Sequence, residues 1–585
     1  LLGLRTLTVI GDAIKFIYET TGDKLDIDKI PLDDEATCSM LRKGDTQGVF
    51  QLESGGMTKL VMDLGPESFE DLIPLVALYR PGPLGTGMVE DFIAGRHGEK
   101  TAEMLHPLLE PVLKDTFGVI LYQEQVMQIT SVLAGFSLGQ ADILRRAMGK
   151  KKAKELDSMR EAFIDGAQQK HGISPQLSSE IFALLQHFAG YGFNKSHSAA
   201  YALVAYQTAY LKAHWPAEFM AAFLTSVISD SEKLSWYISV CRSMGLKILP
   251  PDVNESGRSF SVNKDRVIRF GLAGVKNVGE NAIGSILQAR KEGPFKSLMD
   301  FCKRVDNRAV NKRMLENLIK CGAMDSFGYK RSELLAVAEQ AMDMGSNYQK
   351  DYQSGQMGLF GDDSFADVNE LRIPELEEIP KRTILQYEKE LIGFYVTGNP
   401  LDAYVGSLYY YTPLRKISDA SEVLDGKYFS VAGIISDCRI RNTRQGDSMA
   451  ILTLEDFNGK MEIVVFPKVY RDAARLLYQE NAISVEGKLS IDERERKIQA
   501  LKIKPLQEVP PDLHIKIMKK DENGIVQKGL KQIFESFSGD TPVYLHLIDS
   551  GKMIKVERCF WVDGKNAGVY QALDDLLGEN WYLKG

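Results

Sequence analysis

At 585 residues, 44% hydrophobic and 26% charged, the chain has the composition of a globular protein and is too long for one core, so roughly three to five domains are expected. A formal net charge of −8 argues against a uniformly basic nucleic-acid coat and leaves phosphate contact to local basic patches. Six cysteines without a pair at metal-ligand spacing imply neither a zinc site nor a disulfide framework and fit a reducing cytoplasm; no apolar run reaches membrane-spanning length.

The opening LLGLRTLTVIGD carries an early charge, lacks a small-residue cleavage site and begins without Met, and so predicts an interior start within a longer polypeptide. Leu4, Leu7, Ile10, Ile14 and Ile17 give one apolar helical face ended by Thr21-Gly22. Short helices follow around TQGVFQLES, and Pro81-Gly82-Pro83 makes a stiff corner that leaves Arg80 as a surface arginine at a helix end or turn.

LYQEQVMQITSVLAG predicts an amphipathic helix starting at Tyr122, with Val126, Ile129 and Leu133 on its apolar side. The next helix opens on a capping box, Ser137 with Gln140, and stops at Gly149. It carries Arg145 and Arg146 in its last turns, and Lys150, Lys151, Lys152 and Lys154 follow at once. A solvated basic face alternates with acids, as happens from Lys154 onward, whereas RRAMGKKKAK contains none. Like charges this dense repel unless counter-charge arrives, so the stretch predicts a polyphosphate or nucleic-acid partner.

Ser174-Pro175 starts a helix with Ile181, Leu184, Leu185 and Phe188 as its core stripe, broken at Gly190-Tyr191-Gly192. The following FNKSHSAAYALVAYQTAY places Lys195, Ser196, His197 and Ser198 just ahead of a helical run in which Tyr206 and Tyr210 lie four apart. A cation, two hydroxyls and an imidazole at a helix N-terminus suit a phosphate, and the tyrosines are expected to offer flat faces to bases. The competing expectation is an ordinary Ser N-cap above a packed aromatic face.

In GLAGVKNVGENAIGSILQAR, Gly274 and Gly279 bracket a tight turn containing Lys276, with Val275 and Val278 pinning it; this resembles a helix-hairpin-helix, whose backbone N–H groups grip a DNA phosphate without reading sequence. Residues 345 to 385 are polar and aperiodic, which marks a linker; inside it, Gln356-Met357-Gly358-Leu359-Phe360 exposes a Leu-Phe pair that wants a partner pocket. From Lys427 to Pro505 the period changes to two, giving five strands with the helix VYRDAARLLYQ before the fourth, like an OB-fold barrel. Arg439, Arg441 and Arg444 decorate its first strand and hairpin, favouring a single nucleic-acid strand although aromatics are few. After Pro510-Pro511 a small α/β unit reads as a docking module without catalytic residues, in which His514 and His546 are ordinary core or surface residues.

The succession LLGLRTL, VFQLES, LYRPGPL, ILYQEQVMQI, LRRAMGKKK, FAGYGFNKSHSAAYALVAYQTAYLKAHWP, GVKNVGE, QMGLF and an OB-like barrel resembles the C-family replicative polymerases of bacteria, the DNA polymerase III alpha subunits. The resemblance implies a multidomain chain, mainly α in its first half: palm end and fingers over 1–250, helix-hairpin-helix over 251–345, linker and clamp-binding segment over 346–425, OB-fold over 426–507 and C-terminal docking domain over 508–585. It further implies that Arg145, Arg146, Lys195, Ser196 and His197 hold an incoming deoxynucleoside triphosphate (dNTP). Lys150, Lys151, Lys152, Gly274, Val275, Lys276, Gly279, Arg439, Arg441 and Arg444 would meet primer-template DNA, and Gln356, Met357, Leu359 and Phe360 the sliding clamp (beta subunit). The clamp-loader tau subunit would dock on the terminal domain, and the proofreading subunit on parts upstream. The aspartates that place two Mg²⁺ for nucleotidyl transfer are expected in a palm just before LLGLRTL, so no catalytic or metal-binding residue is assigned here, Asp12 and Asp142 included, and the fragment alone is expected to be inactive. A non-catalytic replisome scaffold and the lesion-tolerant paralogue of the same family are the alternatives.

Overall fold

In the first half, apolar residues recur at helical spacing and glycines end the runs. The first helix, α1 (Arg5–Thr21), stops at Gly22, whose φ of 80° is the left-handed conformation that glycine adopts without strain. Its buried stripe is Val9, Ile10, Ala13 and Ile17, whereas Leu7, expected on that face, is exposed. The computed structural model describes the chain except residues 1–2, 86, 101–103, 150–152, 190–191, 354–370, 415–416, 418–423, 444–445, 458, 492–495, 508–511, 519–523, 579–580 and 583–585. Lys150, Lys151, Lys152, Arg444 and the segment Gln356, Met357, Leu359 and Phe360 therefore lie outside the described residues. The chain divides into two units, Leu1–Phe394 and Tyr395–Gly585.

The first unit has two helical cores that matter for the site. One lies among α2 (Gln123–Ala134), α3 (Leu138–Gly149), α4 (Ala153–His171) and α5 (Pro175–Ala189), where Val126, Ile129, Leu144, Phe163, Phe182 and Leu185 interlock. The expected capping box opens α3: Gln140 Oε1 accepts from the Ser137 backbone N–H at 2.9 Å, and the Gln140 N–H donates to Ser137 Oγ at 3.3 Å. The other core surrounds α6 (Lys195–His214), in which Ala202, Val204 to Ala209, Leu211 and Lys212 are all buried. Such a helix has no wet face over its second half and serves as an axis for its neighbours. The segment before α2 straddles both cores: Ile120 and Val126 pack in the first, Leu121 and Tyr122 in the second.

Further along, a single 3-10 turn (Leu272–Gly274) and α7 (Glu280–Arg290) flank the glycine-bracketed hairpin. A long helix, α8 (Arg331–Gln353), runs past the point where the polar linker was expected to begin, and α9 (Lys381–Ile392) returns to its start. There the Arg331 guanidinium, 4% exposed, makes a two-pronged bond to Asp325 at 3.0 and 2.8 Å and reaches the fully buried Glu388 at 3.2 Å.

In the second unit, alternating apolar residues build β1 (Tyr428–Asn442), β2 (Ser448–Glu455), β3 (Lys460–Val465), β4 (Ala482–Ile491) and β5 (Arg496–Pro505). They close in the order β1-β2-β3-β5-β4, with α10 (Pro467–Ala473) between β3 and β4, the expected arrangement of five strands and one helix. Val431, Leu452, Ile463, Val485 and Ile498 fill the barrel. The terminal α/β unit pairs β6 (Leu513–Ile517) in parallel with β7 (Val543–Leu547) through the crossover helix α11 (Gly524–Ser536), and β8 (Lys552–Lys555) adds antiparallel to β7.

Neighbouring parallel strands bring His514 and His546 together, Nδ1 of one 2.7 Å from Nε2 of the other, a pairing that their sequence spacing did not suggest. Burial, and then His514, push His546 below the ordinary histidine pKa. The unfolded chain therefore binds the proton more tightly: this stabilisation is complete above the free-histidine value, about 6.5, and is lost as pH falls below it. Hydrogen exchange of the β6 and β7 amides, corrected for intrinsic rate, should show weaker protection at about pH 5.5 than at about pH 7.5, and His546→Gln should remove the difference. Equal protection at both pH values in the unsubstituted chain would show that His546 does not couple protonation to folding.

Candidate nucleotide and nucleic-acid interface

Two of the cationic residues singled out in the first half, Arg145 and Lys195, meet at one short piece of chain, residues 121–124. Phe193 N–H donates to the Leu121 carbonyl at 3.3 Å, and Gln123 N–H returns a bond to the Phe193 carbonyl at 2.8 Å. The Gln123 side chain donates through Nε2 to the Gly192 carbonyl and accepts through Oε1 from Arg145, both at 2.9 Å. Next to it, the Glu124 carboxylate accepts from Lys195 N–H at 3.0 and 3.1 Å, while the Lys195 ammonium lies 5.5 Å from the centre of the Tyr122 ring. Arg145 on α3 and Lys195 on α6 are thus held by consecutive residues, although the sequence separates them widely.

Two sequence expectations fail here. The arginines are not uncompensated: Asp142, one turn earlier on α3, takes Arg145 at 2.7 and 3.0 Å and Arg146 at 2.6 Å. The hydrogen bond from Arg145 first, then both guanidinium charges, hold the Asp142 carboxyl below the usual carboxylate range. One carboxylate shared by two guanidiniums leaves one net positive charge, with Arg145 26% and Arg146 66% exposed. The start of α6 is also less open than expected. Asn194 rather than a serine caps it, accepting from His197 N–H at 2.8 Å; Glu124 occupies Lys195 N–H; and Ser198 is buried, donating to the Ile73 carbonyl.

The tyrosines are a third correction. Tyr206 is fully buried, its hydroxyl donating to the Pro31 carbonyl at 2.9 Å and accepting from Asp34 N–H at 3.0 Å, and Tyr210 is half-buried against His214 and Trp215. The rings that do line up beside the cations are others. Phe50 lies 5.4 Å from Tyr201, Tyr201 4.3 Å from His197 and His197 5.4 Å from Phe193, and the Arg80 guanidinium sits 4.3 Å above Phe193. Lys195, Ser196 and His197 are exposed at the end of this row. Lys212 at the far side of α6 fixes the loop that carries Phe50 by donating to the Asp45 and Gln47 carbonyls, each at 2.8 Å, and burial lowers its pKa to about 8.

At the glycine-bracketed hairpin, Val275 and Val278 are buried and Lys276 and Gly279 exposed. Asn277 adopts a left-handed φ of 66°, which turns the chain between them. Gly274 is held where an added Cβ would lie 2.6 Å from the Phe270 ring. The turn is partly self-satisfied: Val275 N–H bonds the Leu272 carbonyl, Val278 N–H that of Val275, and Lys276 N–H that of Leu391 at the end of α9. The N–H groups of Gly279, Glu280 and Asn281 precede the intrahelical ladder of α7.

On the barrel, Arg439 and Arg441 are exposed on β1, and Arg439 pairs with Asp437 at 2.8 Å. The outward positions of β2 and β3, where OB-folds receive single strands, are Met449, Ile451, Thr453, Glu455, Lys460, Glu462 and Val464. None is aromatic, and both glutamates are paired, with Lys460 at 3.1 Å and Lys497 at 3.2 Å.

Three family models match successive parts of the chain: the bacterial DNA polymerase III alpha subunit finger domain over residues 6–171, a helix-hairpin-helix motif over 245–334 and an OB-fold nucleic acid binding domain over 429–506. Proteins named DNA polymerase III subunit alpha are similar along most of the chain. The one from Pseudomonas aeruginosa is 41% identical over 99% of this chain and 52% of its own length; that from Thermus aquaticus is 42% identical over 94% and 45%. The Escherichia coli K12 protein is 43% identical over 84% of this chain and 43% of its own length. The chain belongs with the bacterial DNA polymerase III alpha subunits. It spans about half the length of the curated relatives it matches.

The polymerase III alpha finger match covers Arg80, Gln123, Asp142, Arg145 and Arg146. Three of these were missed or undervalued from sequence. Asp142 lies at i−3 and i−4 from the arginines, a spacing that reading only forward from Arg145 overlooks. Arg80 follows LY and precedes PGP, a corner that does rigidify the backbone beneath it. Gln123 carries no local signal, since its partners lie 22 and 69 residues away. Among the described residues no group of three or more His, Cys, Asp or Glu could hold a metal ion, and no helix is long and apolar enough to cross a membrane.

Proposed function

We propose that this chain is the fingers-to-C-terminus portion of a replicative DNA-directed DNA polymerase that acts in the cytoplasm. The supporting observation is the gathering of Arg145 and Lys195 on residues 123 and 124 beside a row of rings, with Arg146 sharing Asp142 with Arg145. In this reading the dNTP triphosphate takes the two guanidiniums from Asp142, Lys195 adds positive potential, and the base lies against His197 and Tyr201. Mg²⁺ would supply charge neutralisation at the transferred phosphate, held by the carboxylates that the family carries in its palm; Asp142 belongs to no cluster of three or more ligating side chains among the described residues and is not assigned that role.

Duplex product would be held through Gly279, the first turn of α7, Lys276 and Lys150 to Lys152, with Gly274 and Val275 shaping the turn. Arg439, Arg441 and Arg444 would approach the template strand electrostatically, because the barrel's outer face offers no aromatic stacking positions on β2 and β3. Gln356, Met357, Leu359 and Phe360 would bind the sliding clamp, and the terminal domain the tau subunit.

Photo-crosslinking with an azido derivative of dATP tests the pocket. Label is expected in peptides containing His197 or Tyr201 and should be competed by unlabelled dATP. Uncompeted label, or label confined to the barrel, would overturn the pocket and leave the scaffold reading.

A further inference from the structure

Among the described residues, Gln123 is the side chain whose hydrogen bonds join the arginine helix to the loop ahead of α6. Its amide is fully directional here: the oxygen accepts from Arg145 at 2.9 Å and the nitrogen donates to the Gly192 carbonyl at 2.9 Å, while its own backbone N–H holds Phe193 at 2.8 Å. Among the described residues, Arg145 without it keeps only its bonds to Asp142, on the same helix, and no other hydrogen bond ties the guanidinium to the segment of Lys195 and His197 on the other core. A side chain on so mobile a stem loses entropy when pinned, and an amide anchored on two elements reduces how much must be lost when a ligand binds.

The geometry points to Gln123 as a positioning residue for nucleotide binding: it holds Arg145 in register with the Phe193-to-His197 loop, so that a phosphate on the arginine and a base on the rings are received together. This rests on the dNTP reading of the pocket. Gln123 itself touches neither reacting atoms nor metal in this scheme; it acts through Arg145. The choice of glutamine follows from the chemistry. Glutamate at this position could accept from Arg145 but would set a carboxylate against the Gly192 carbonyl, and an apolar residue of the same length could do neither.

The test is a double-substitution cycle in the complete polymerase polypeptide, read as the KM for dNTP and kcat in primer extension. Gln123→Leu alone should raise the KM for dNTP about tenfold, the loss of one hydrogen bond to a charged group, with a smaller change in kcat. In a chain already carrying Arg145→Ala, Gln123→Leu should change the KM by less than about twofold, since the residue through which it acts is gone. Gln123→Glu should fall between wild type and Leu, keeping the bond to Arg145. Circular dichroism and melting of each variant report folding. If the two substitutions multiply independently, Gln123 is a structural residue and the inference is wrong. If Arg145→Ala alone leaves the KM unchanged, the dNTP reading fails instead, so the two failures are distinguishable.

Discussion

Replacing Arg145 with Ala in the complete polymerase is expected to raise the KM for all four dNTPs by between about tenfold and a hundredfold, without a comparable change in affinity for primer-template. The magnitude follows from the loss of one charge-assisted hydrogen bond to phosphate, at roughly 1.5–3 kcal/mol. The effect should not depend on the base, because a guanidinium reads charge and not the Watson–Crick edge. Arg146→Ala should act in the same direction with a smaller effect, since that side chain is 66% exposed and solvent screens it. The measurement is steady-state primer extension with each dNTP varied in turn. An unchanged KM in both variants would remove the triphosphate assignment, and an effect confined to one dNTP would move the arginine to the base.

The second large effect concerns stability. Arg331→Met should destabilise the first unit by roughly 3–5 kcal/mol, because it strips the guanidinium from a fully buried Glu388 carboxylate and from Asp325 at once. Methionine keeps most of the volume, so the loss is electrostatic and not a cavity. Converting the pair together, Arg331→Met with Glu388→Leu, should recover most of that loss, as replacing both members of a buried ion pair by apolar groups often does. Urea unfolding followed by hydrogen exchange in α8 and α9 separates these outcomes. A double variant no more stable than the single one would show that shape, not charge, holds the two helices together.

Much that depended on local spacing was legible in the chain, although Leu7 and Asp142 were misjudged. The capping box at Ser137 and Gln140 and the five barrel strands with their helix lie where alternation and turn residues put them. The convergence of Arg145 and Lys195 was implied only by resemblance, because it is made by bonds spanning 22, 69 and 71 residues. Tyr206 was misassigned for a related reason. A helix buried on nearly all sides has no amphipathic pattern, so nothing in the sequence distinguishes a ring that stacks on a ligand from one that fills a core. The His514 and His546 pair required knowing which strands are neighbours, and parallel pairing through a crossover helix hides that from a linear reading.

The sharing of Asp142 between Arg145 and Arg146 carries a consequence for selectivity in a crowded cell. An anion entering the pocket must outcompete a carboxylate already seated on both guanidiniums, which sets a threshold. Inorganic phosphate or a nucleoside monophosphate exchanges one modest anion for another and gains little, whereas a polyphosphate tail can satisfy the arginines at two points and still leave charge for Lys195. On the triphosphate reading proposed above, the internal carboxylate would then work as a built-in competitor, keeping the site from being clogged by abundant small anions until a longer one arrives.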